Sequence, residues 1–353
     1  METEPTLKVS REWGWYSGES LWTSNVTAVA LGHPDGYGMV RGIAMDDEYL
    51  YLPKSTKYSA IAAVKISEPT TQLAGSVTGI SGGSNFSTCF PRIIKNTNAE
   101  INGGKDILLL CNNSATNSDD NKLSVYAYTN GISAAPAFLC AFAYDTANSM
   151  YDWRQYGDRF SVTGNWEEGK LYFPSYHSNK SVILSVANGA RTAVTQIAAG
   201  ENSPEGVKDI ILYPGSEDLF ITNIDGANLV SATGNKTAQG WDEYTLSTAC
   251  AKAAGTYGYN FFKFNGKNWI AYARITDKNK VWLEIVEDNG NLVSSLEAQA
   301  GIMKAPVHSA DNLETIHTTG AYADCAVRII NGVPYIATLS RDGGLVLDKL
   351  VFE

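Results

Sequence analysis

Basic residues recur along the sequence at or near the start of short apolar runs. These residues are Arg41, Arg92, Arg159, Lys208 and Arg328. Cationic groups held at one point of a structural repeat would surround a common axis, where they can grip a carboxylate or sulfate. Neighbouring acids, including Asp158, Asp209 and Asp324, could instead pair with them inside the protein. We therefore predict a cationic ring, with anion binding and internal salt bridging as its two alternative roles.

Aromatic residues are concentrated in the longer polar connections between these runs. Trp15 and Trp22 precede the first run, and Tyr151 and Trp153 precede the third. Flat rings stack on sugar faces and anchor interfaces, so we predict a ligand-binding surface that combines these four residues with the cationic ring. The alternative is that the loops fold back and bury their aromatic side chains in small satellite cores.

The sequence contains no recognisable catalytic, nucleotide-binding or metal-binding motif. Residues 340–344 match only the first half of the Asp-box repeat of sialidases. Glycosidase or lyase chemistry needs two positioned carboxylates or a His and Tyr pair, and no spacing here indicates either. Residues 112–121 are rich in oxygen ligands that calcium accepts, but they fit no EF-hand, and a solvated hairpin loop explains them. We expect no cofactor and no metal, and we favour a non-enzymatic role.

Composition narrows the classes of partner and environment. The 353 residues carry a formal net charge of −10, which disfavours nucleic acid as a partner. No apolar run is long enough to span a bilayer, and residues 1–5 lack the parts of a signal peptide, so we expect a soluble chain without a membrane-spanning segment. The five cysteines show no CxxC spacing, and we expect them to be buried thiols.

The elements that must position these residues follow a repeat of roughly 50 to 70 residues. Each basic run is followed by a more apolar strand, a polar loop, an alternating third strand and then a fourth strand. A repeat of four short strands is typical of an all-β propeller. We predict six four-stranded antiparallel blades. Seven blades are the alternative, because residues 78–91, 143–158 and 299–325 have room for further strands, and two stacked β-sandwiches come third.

The two ends of the chain predict how the ring closes. The sixth repeat ends after three strands, whereas residues 6–13 form an unassigned alternating strand at the other end of the chain. We expect residues 6–13 to pair with residues 345–351 and to complete the last blade of a single monomeric domain, residues 1–353. The fourth strand of the fifth repeat is predicted at residues 293–298.

The blade pattern, the run REWGW at residues 11–15 and the run GDRFSVTGN at residues 157–165 carry a family resemblance. With them the chain resembles secreted six-bladed propeller proteins of uncharacterised function from polysaccharide-using bacteria. The resemblance implies export to the periplasm or cell surface and a role in handling glycans. We therefore expect a non-catalytic propeller that binds a polysaccharide or an acidic saccharide. A glycan-degrading enzyme and a protein-interaction scaffold are the alternatives.

Overall fold

The structure is a computed structural model, and fifteen segments of it are described below. They comprise residues 6–16, 40–53, 60–82, 86–114, 122–142, 156–175, 180–199, 207–215, 219–223, 229–236, 242–246, 250–276, 280–307, 323–340 and 344–353. These segments form an all-β propeller built from antiparallel four-stranded units. No helix within them is both long and apolar enough to cross a membrane.

The described residues form five blades, so the predictions of six and of seven blades are both wrong. Four blades have four strands each, and the third blade has eight. Its two halves join where the outermost strands run parallel, with Ile197 beside Asp242 and Ala199 beside Tyr244. Sequence repeats count strands but do not show which strand edges pair. Here the pairing covers two edges that would otherwise be open.

The first two blades follow one another directly in the sequence. The strands of blade 1 are β2 (Ala44–Met45), β3 (Tyr49–Pro53), β4 (Ile61–Lys65) and β5 (Gln72–Ala74). The strands of blade 2 are β6 (Phe86–Ile94), β7 (Ile107–Asn113), β8 (Leu123–Tyr128) and β9 (Ala137–Phe142). Every residue of β7 and of β8 is buried, because both faces of these strands pack against other parts of the protein.

Blade 3 contributes two strands to the propeller axis, one from each half. The strands of its first half are β10 (Ser161–Gly164), β11 (Gly169–Phe173), β12 (Lys180–Ala187) and β13 (Ala190–Ala199). The strands of its second half are β14 (Val207–Leu212), β15 (Leu219–Asn223), β16 (Leu229–Lys236) and β17 (Asp242–Leu246). The innermost strands are β10 and β14, and they lie beside each other.

Blade 4 contains a helix where the sequence predicts a strand. Its strands are β18 (Thr256–Phe264), β19 (Lys267–Ile275), β20 (Val281–Glu287) and β21 (Met303–Pro306). The predicted strand at residues 293–298 is instead helix α1 (Leu292–Ala298), so that prediction is wrong. The Asn291 side chain caps the helix by accepting a hydrogen bond from the Ser294 amide, and Leu292 and Leu296 are buried at helical spacing.

The N-terminal strand completes blade 5, which confirms the predicted closure. The strands are β22 (Ala323–Ile330), β23 (Val333–Ser340), β24 (Gly344–Phe352) and β1 (Leu7–Tyr16). Strand β1 pairs antiparallel with β24 along its whole length, with Leu7 opposite Phe352 and Trp15 opposite Leu345. Side chains reinforce this pairing, since Arg11 Nε donates to Asp348 Oδ1 at 2.6 Å.

Apolar clusters between neighbouring blades hold the propeller together. One cluster joins blade 2 to the first half of blade 3 through residues such as Phe90, Leu109, Phe160 and Phe173. A second joins blade 5 to blade 1 and contains Trp15. All five cysteines are buried and none forms a disulfide, as the sequence predicts. The faces of the blades, not covalent links, therefore carry the packing.

Candidate functional site

The innermost strands surround a cavity of about 990 Å3 on the propeller axis. Strands β2, β6, β10, β14, β18 and β22 all contribute to its lining. Their side chains bridge one inner strand to the next. Ser161 Oγ donates to the Ile210 carbonyl at 2.6 Å, and Asn260 Nδ2 donates to the Cys325 carbonyl at 2.8 Å. These bridges fix the positions of the residues that face the cavity.

One side of the axis is occupied by a buried charged network centred on Asp324. Asp324 accepts hydrogen bonds from Arg92 through both Nη1 and Nη2, at 2.9 and 3.2 Å, and from Arg159 Nη2 at 2.9 Å. The Ile43 amide donates to the same carboxylate at 2.9 Å. Burial alone would raise the pKa of Asp324, but Arg92 and Arg159 hold it below its ordinary value. This carboxylate therefore joins the inner strands β6 and β22 to the segments just before β2 and β10.

Two further carboxylates balance the remaining charges of the network. Arg41 forms an ion pair with Asp158, whose Oδ1 also accepts from Asn113 Nδ2 at 2.7 Å. Arg159 is 1% exposed, and its Nε lies 3.5 Å from Asp209 Oδ2. The arginine–aspartate network is thus defined as Arg41, Arg92, Arg159, Asp158, Asp209 and Asp324. Its three positive charges face three negative charges, which is the internal pairing that the sequence offers as an alternative to anion binding.

Arg328 lies at a different level of the axis. It forms ion pairs with Asp47 at 2.6 Å and Asp106 at 2.7 Å. Asp324 and Arg328 are four residues apart on strand β22, which corresponds to about 13 Å. The pKa of Asp47 is lowered chiefly by its hydrogen bond with Arg328, and the pKa of Asp106 is lowered against the effect of burial by Arg328 and Lys95.

The recurring basic residues consequently do not form one ring at a single height. Arg41 and Arg159 precede their inner strands, whereas Arg92 and Arg328 lie two residues before the ends of β6 and β22. The repeat therefore places the strands in equivalent positions, but the basic residues lie at different points along those strands. The Lys208 backbone belongs to β14, and its side chain lies outside the described residues. Ligand binding by these residues stays a prediction.

The predicted aromatic surface is mostly beyond the part of the chain that the structure describes. Trp22, Tyr151 and Trp153 all lie outside the described residues. Trp15 is 3% exposed, and its ring centroid lies 5.1 Å from that of Trp13. Trp15 therefore belongs to the core between blades 5 and 1.

The oxygen-rich stretch that would suit calcium is described only at its start. Residues 115–121 lie outside the described residues. Asn112 is buried, and its side chain donates to the Lys122 carbonyl at 2.9 Å and accepts from the Ser124 amide at 2.8 Å. Among the described residues, no group of three or more His, Cys, Asp or Glu side chains is placed to hold a metal ion.

The first half of blade 3 lines the cavity with a row of polar side chains, which we call the polar wall. Cross-strand pairing places Thr163, Lys170 and Ser185 in one row and Tyr172 beside Ile183 and Thr195 in the next. We define the polar wall as Thr163, Lys170, Tyr172, Ser185 and Thr195, all of which line the cavity. The alternate residues of the same strands, including Leu171 and Leu184, belong to the core cluster on the opposite face.

The polar side chains of this wall are not paired with other described residues. None of the five side chains has a hydrogen-bond partner among the described residues, and Lys170, which is exposed, has no carboxylate within salt-bridge distance there. Sequence reasoning missed Lys170 because it lies on the second strand of its unit. The available signal was the order of residues in the run GKLYF at residues 169–173, in which Lys170 and Tyr172 alternate with the apolar residues Leu171 and Phe173.

Asp209 is the one carboxylate among the described residues that line the cavity. Its side chain is buried, and its Oδ1 atom has no hydrogen-bond partner. The cavity therefore combines an ammonium group that has no carboxylate partner among the described residues, several hydroxyl groups and the single carboxylate of the described lining. This arrangement suits a polar ligand with a negative charge.

The chain is similar to known proteins in its structure and not in its sequence. No family model matches the sequence, and no curated protein matches it significantly. Among solved structures, a protein of unknown function from Bacteroides thetaiotaomicron VPI-5482 is similar, with a TM-score of 0.52, 14% identity, and coverage of 99% of this chain and 77% of the other. An auxiliary nutrient binding protein from the same organism has a TM-score of 0.52, 10% identity and the same coverage values. At these identities the likeness concerns the fold alone.

Proposed function

We propose that this protein is a non-catalytic binding propeller whose central cavity recognises an acidic saccharide, free or as part of a polysaccharide. The observation that carries the proposal is the polar wall. Lys170, which has no acidic partner among the described residues, lies there among hydroxyl groups inside a cavity of about 990 Å3. Ligand pockets of about 300 to 1,000 Å3 are the usual size for a small-molecule site.

The charge distribution supports an acidic ligand. Arg41, Arg92, Arg159 and Arg328 are matched by carboxylates, so they add little free positive charge to the cavity. Lys95 also lines the cavity and is paired with Asp106 at 3.1 Å. Lys170 is the lining lysine that has no carboxylate partner among the described residues, so an acidic group can approach it. The hydroxyl groups of Tyr172 and Ser185 lie on neighbouring positions of the same wall, where they can exchange hydrogen bonds with sugar hydroxyls.

The acidic residues of the cavity favour binding without catalysis. Glycoside hydrolysis needs two carboxyl groups that flank the bond to be broken. The described lining supplies only Asp209, and the Asp209 carboxylate lies against Arg159 in the buried network. The similarity to a propeller named an auxiliary nutrient binding protein is in keeping with a binding role, and we extend the proposal to an exported protein of the periplasm or cell surface.

An array of acidic and neutral oligosaccharides, combined with an assay for newly released reducing ends, tests this function. We expect binding of acidic members without release of reducing ends, and loss of that binding in Lys170→Ala. Release of reducing ends would replace the proposal with a glycan-degrading enzyme. Absence of both binding and release would favour a protein-interaction scaffold.

A further inference from the structure

Alternate residues of inner strand β18 connect the central cavity to a second pocket. Tyr259 and Phe261 line the central cavity, while Phe261 and Lys263 line a neighbouring pocket of about 570 Å3. Residues two apart on a strand share one face and are about 7 Å apart. The three side chains thus form a continuous track of about 13 Å that leads from one space into the other.

The wall between the two spaces is aromatic and held in place. Tyr213 and Phe261 line both of them, and their rings meet edge to face with centroids 5.3 Å apart. Tyr213 also donates a hydrogen bond from its hydroxyl to Asp288 Oδ1 at 2.5 Å. Neither ring is fully buried. The pair therefore offers a preorganised apolar surface, which is the kind of surface on which sugar rings stack.

The second pocket, like the central cavity, contains a lysine for which the described part of the chain provides no acidic partner. Lys263 is exposed and has no carboxylate within salt-bridge distance among the described residues. The acid in this pocket is Asp288, which already accepts hydrogen bonds from the Tyr213 hydroxyl and the Gly290 amide. Asn268, opposite Lys263 on the neighbouring strand, adds a polar side chain to the lining. A second negative group of a ligand would meet a cation here.

We infer that the ligand is an acidic oligosaccharide that reaches from Lys170 in the central cavity to Lys263 in the second pocket. Its sugar rings cross the wall formed by Tyr213 and Phe261. This inference rests on the proposed function and deepens it, because the two lysines select a chain with repeated acidic groups over a single acidic sugar. Carboxylates of uronic acids and sulfate esters share the chemistry that the lysines recognise.

Titration calorimetry with two ligand series tests the inference: oligouronides from the monomer to the octamer, and sulfated neutral oligosaccharides of the same lengths. We expect affinity to rise with length and then level off once the chain spans both pockets. Lys263→Ala should weaken binding of the longer oligomers about tenfold and leave the monomer unchanged. Lys170→Ala should weaken binding at every length. Whichever series binds more tightly identifies the acidic group.

Two further variants distinguish the loss of ring stacking on the ligand from a loss of protein stability. Phe261→Leu keeps an apolar side chain at this partly buried position but removes the flat ring, so it should reduce the dependence of affinity on length while the melting temperature is retained. Lys252→Ala removes an exposed lysine outside both spaces and should change nothing.

The outcomes distinguish the inference from the proposed function. Affinity that depends on Lys170 but not on chain length or Lys263 would overturn the two-pocket ligand and leave the central site intact. Failure of both series to bind at any length would overturn the proposed function itself.

Discussion

The arginine–aspartate network and the polar wall both lie near the centre of the propeller, but charge is neutralised within the network and left without an internal partner on the wall, among the described residues. In the network, Arg159 is 1% exposed and contacts two aspartates, so its charge is neutralised within the protein. On the wall, Lys170 is exposed and has no such partner among the described residues. Recurrence in the sequence therefore does not show whether a cation is available to a ligand, because that depends on its packing and its partners.

The network and the wall differ because some strands are packed on both faces, whereas others line the cavity with one face. Strand β7 is buried at every position, so both of its faces serve packing. Strand β11 alternates instead, with Leu171 and Phe173 in the core and Lys170 and Tyr172 toward the cavity. The eight-stranded blade creates this situation, because its halves join at their outer edges and leave the inner part of one face to line a cavity.

The largest loss of stability should come from removing the strand that closes the ring. Deletion of residues 1–13 takes away most of β1 and exposes the edge of β24. We expect one cooperative decrease in stability across the whole protein, measured by thermal melting, because the ring can no longer close. Melting of the truncated protein at the temperature of the full chain would contradict the structural role of this strand.

Arg159→Ala sharpens the comparison directly. The change leaves Asp324 and Asp209 buried with fewer cationic partners, so the free energy of unfolding should fall by about 3 to 5 kcal/mol in denaturant titrations. Lys170→Ala is the matched control and should leave stability within about 0.5 kcal/mol. Equal effects of the two substitutions would show that the network and the wall do not differ as described.

The pH dependence of stability should report the aspartates that pair with arginines, including Asp324 of the network, and not the wall. Asp324, Asp47 and Asp106 have pKa values below their ordinary range in the folded protein, so they bind protons less readily there than in the unfolded chain. Their contribution is present above about pH 4 and is lost as the pH falls through the folded pKa values. Asp348 acts in the opposite direction, since burial raises its pKa despite Arg11.

Unfolding free energies measured between neutral and acidic pH would test this expectation. Asp324→Asn should flatten the acid limb of the curve, whereas Lys170→Ala should reproduce the wild-type shape. An unchanged acid limb in Asp324→Asn would exclude this carboxylate as a source of the pH dependence.

Two serines in the first half of blade 3 provide the smallest and most closely matched contrast. Ser161 donates to the Ile210 carbonyl on the adjacent inner strand, so Ser161→Ala should cost about 1 kcal/mol of stability. Ser185 has no hydrogen-bond partner among the described residues, so Ser185→Ala should be nearly neutral for stability and should weaken ligand binding only a few-fold. Denaturation and calorimetry on the same preparations check both effects.

Sequence patterns predicted the strands well and their assembly less well. The alternating strand at residues 6–13 and the apolar runs of β7 and β8 determine local structure and closure, because each must bury its apolar side chains. The merging of β13 with β17 depends on backbone edges that carry no residue signature. The helix Leu292–Ala298 replaces the predicted strand because a short apolar run fits either period and Asn291 caps the helix.

The candidate site was only partly accessible to sequence reasoning for a related reason. Arg159 and Asp324 were both noted in the sequence, but their pairing joins residues 165 positions apart. Lys170 and Lys263 stand out only once their strands are seen to line a cavity. A residue's type suggests its chemistry. Whether its side chain can reach a ligand depends on whether another part of the protein packs against it.

The most direct test of this account compares ligand binding and stability in Lys170→Ala and Arg159→Ala, with an acidic oligosaccharide found to bind the wild-type protein as the probe. We predict that Lys170→Ala weakens binding at least about tenfold at unchanged stability. Arg159→Ala should lower stability and, in the fraction that stays folded, bind nearly as the wild type does. Wild-type affinity in Lys170→Ala would contradict the assignment of the polar wall as the binding site.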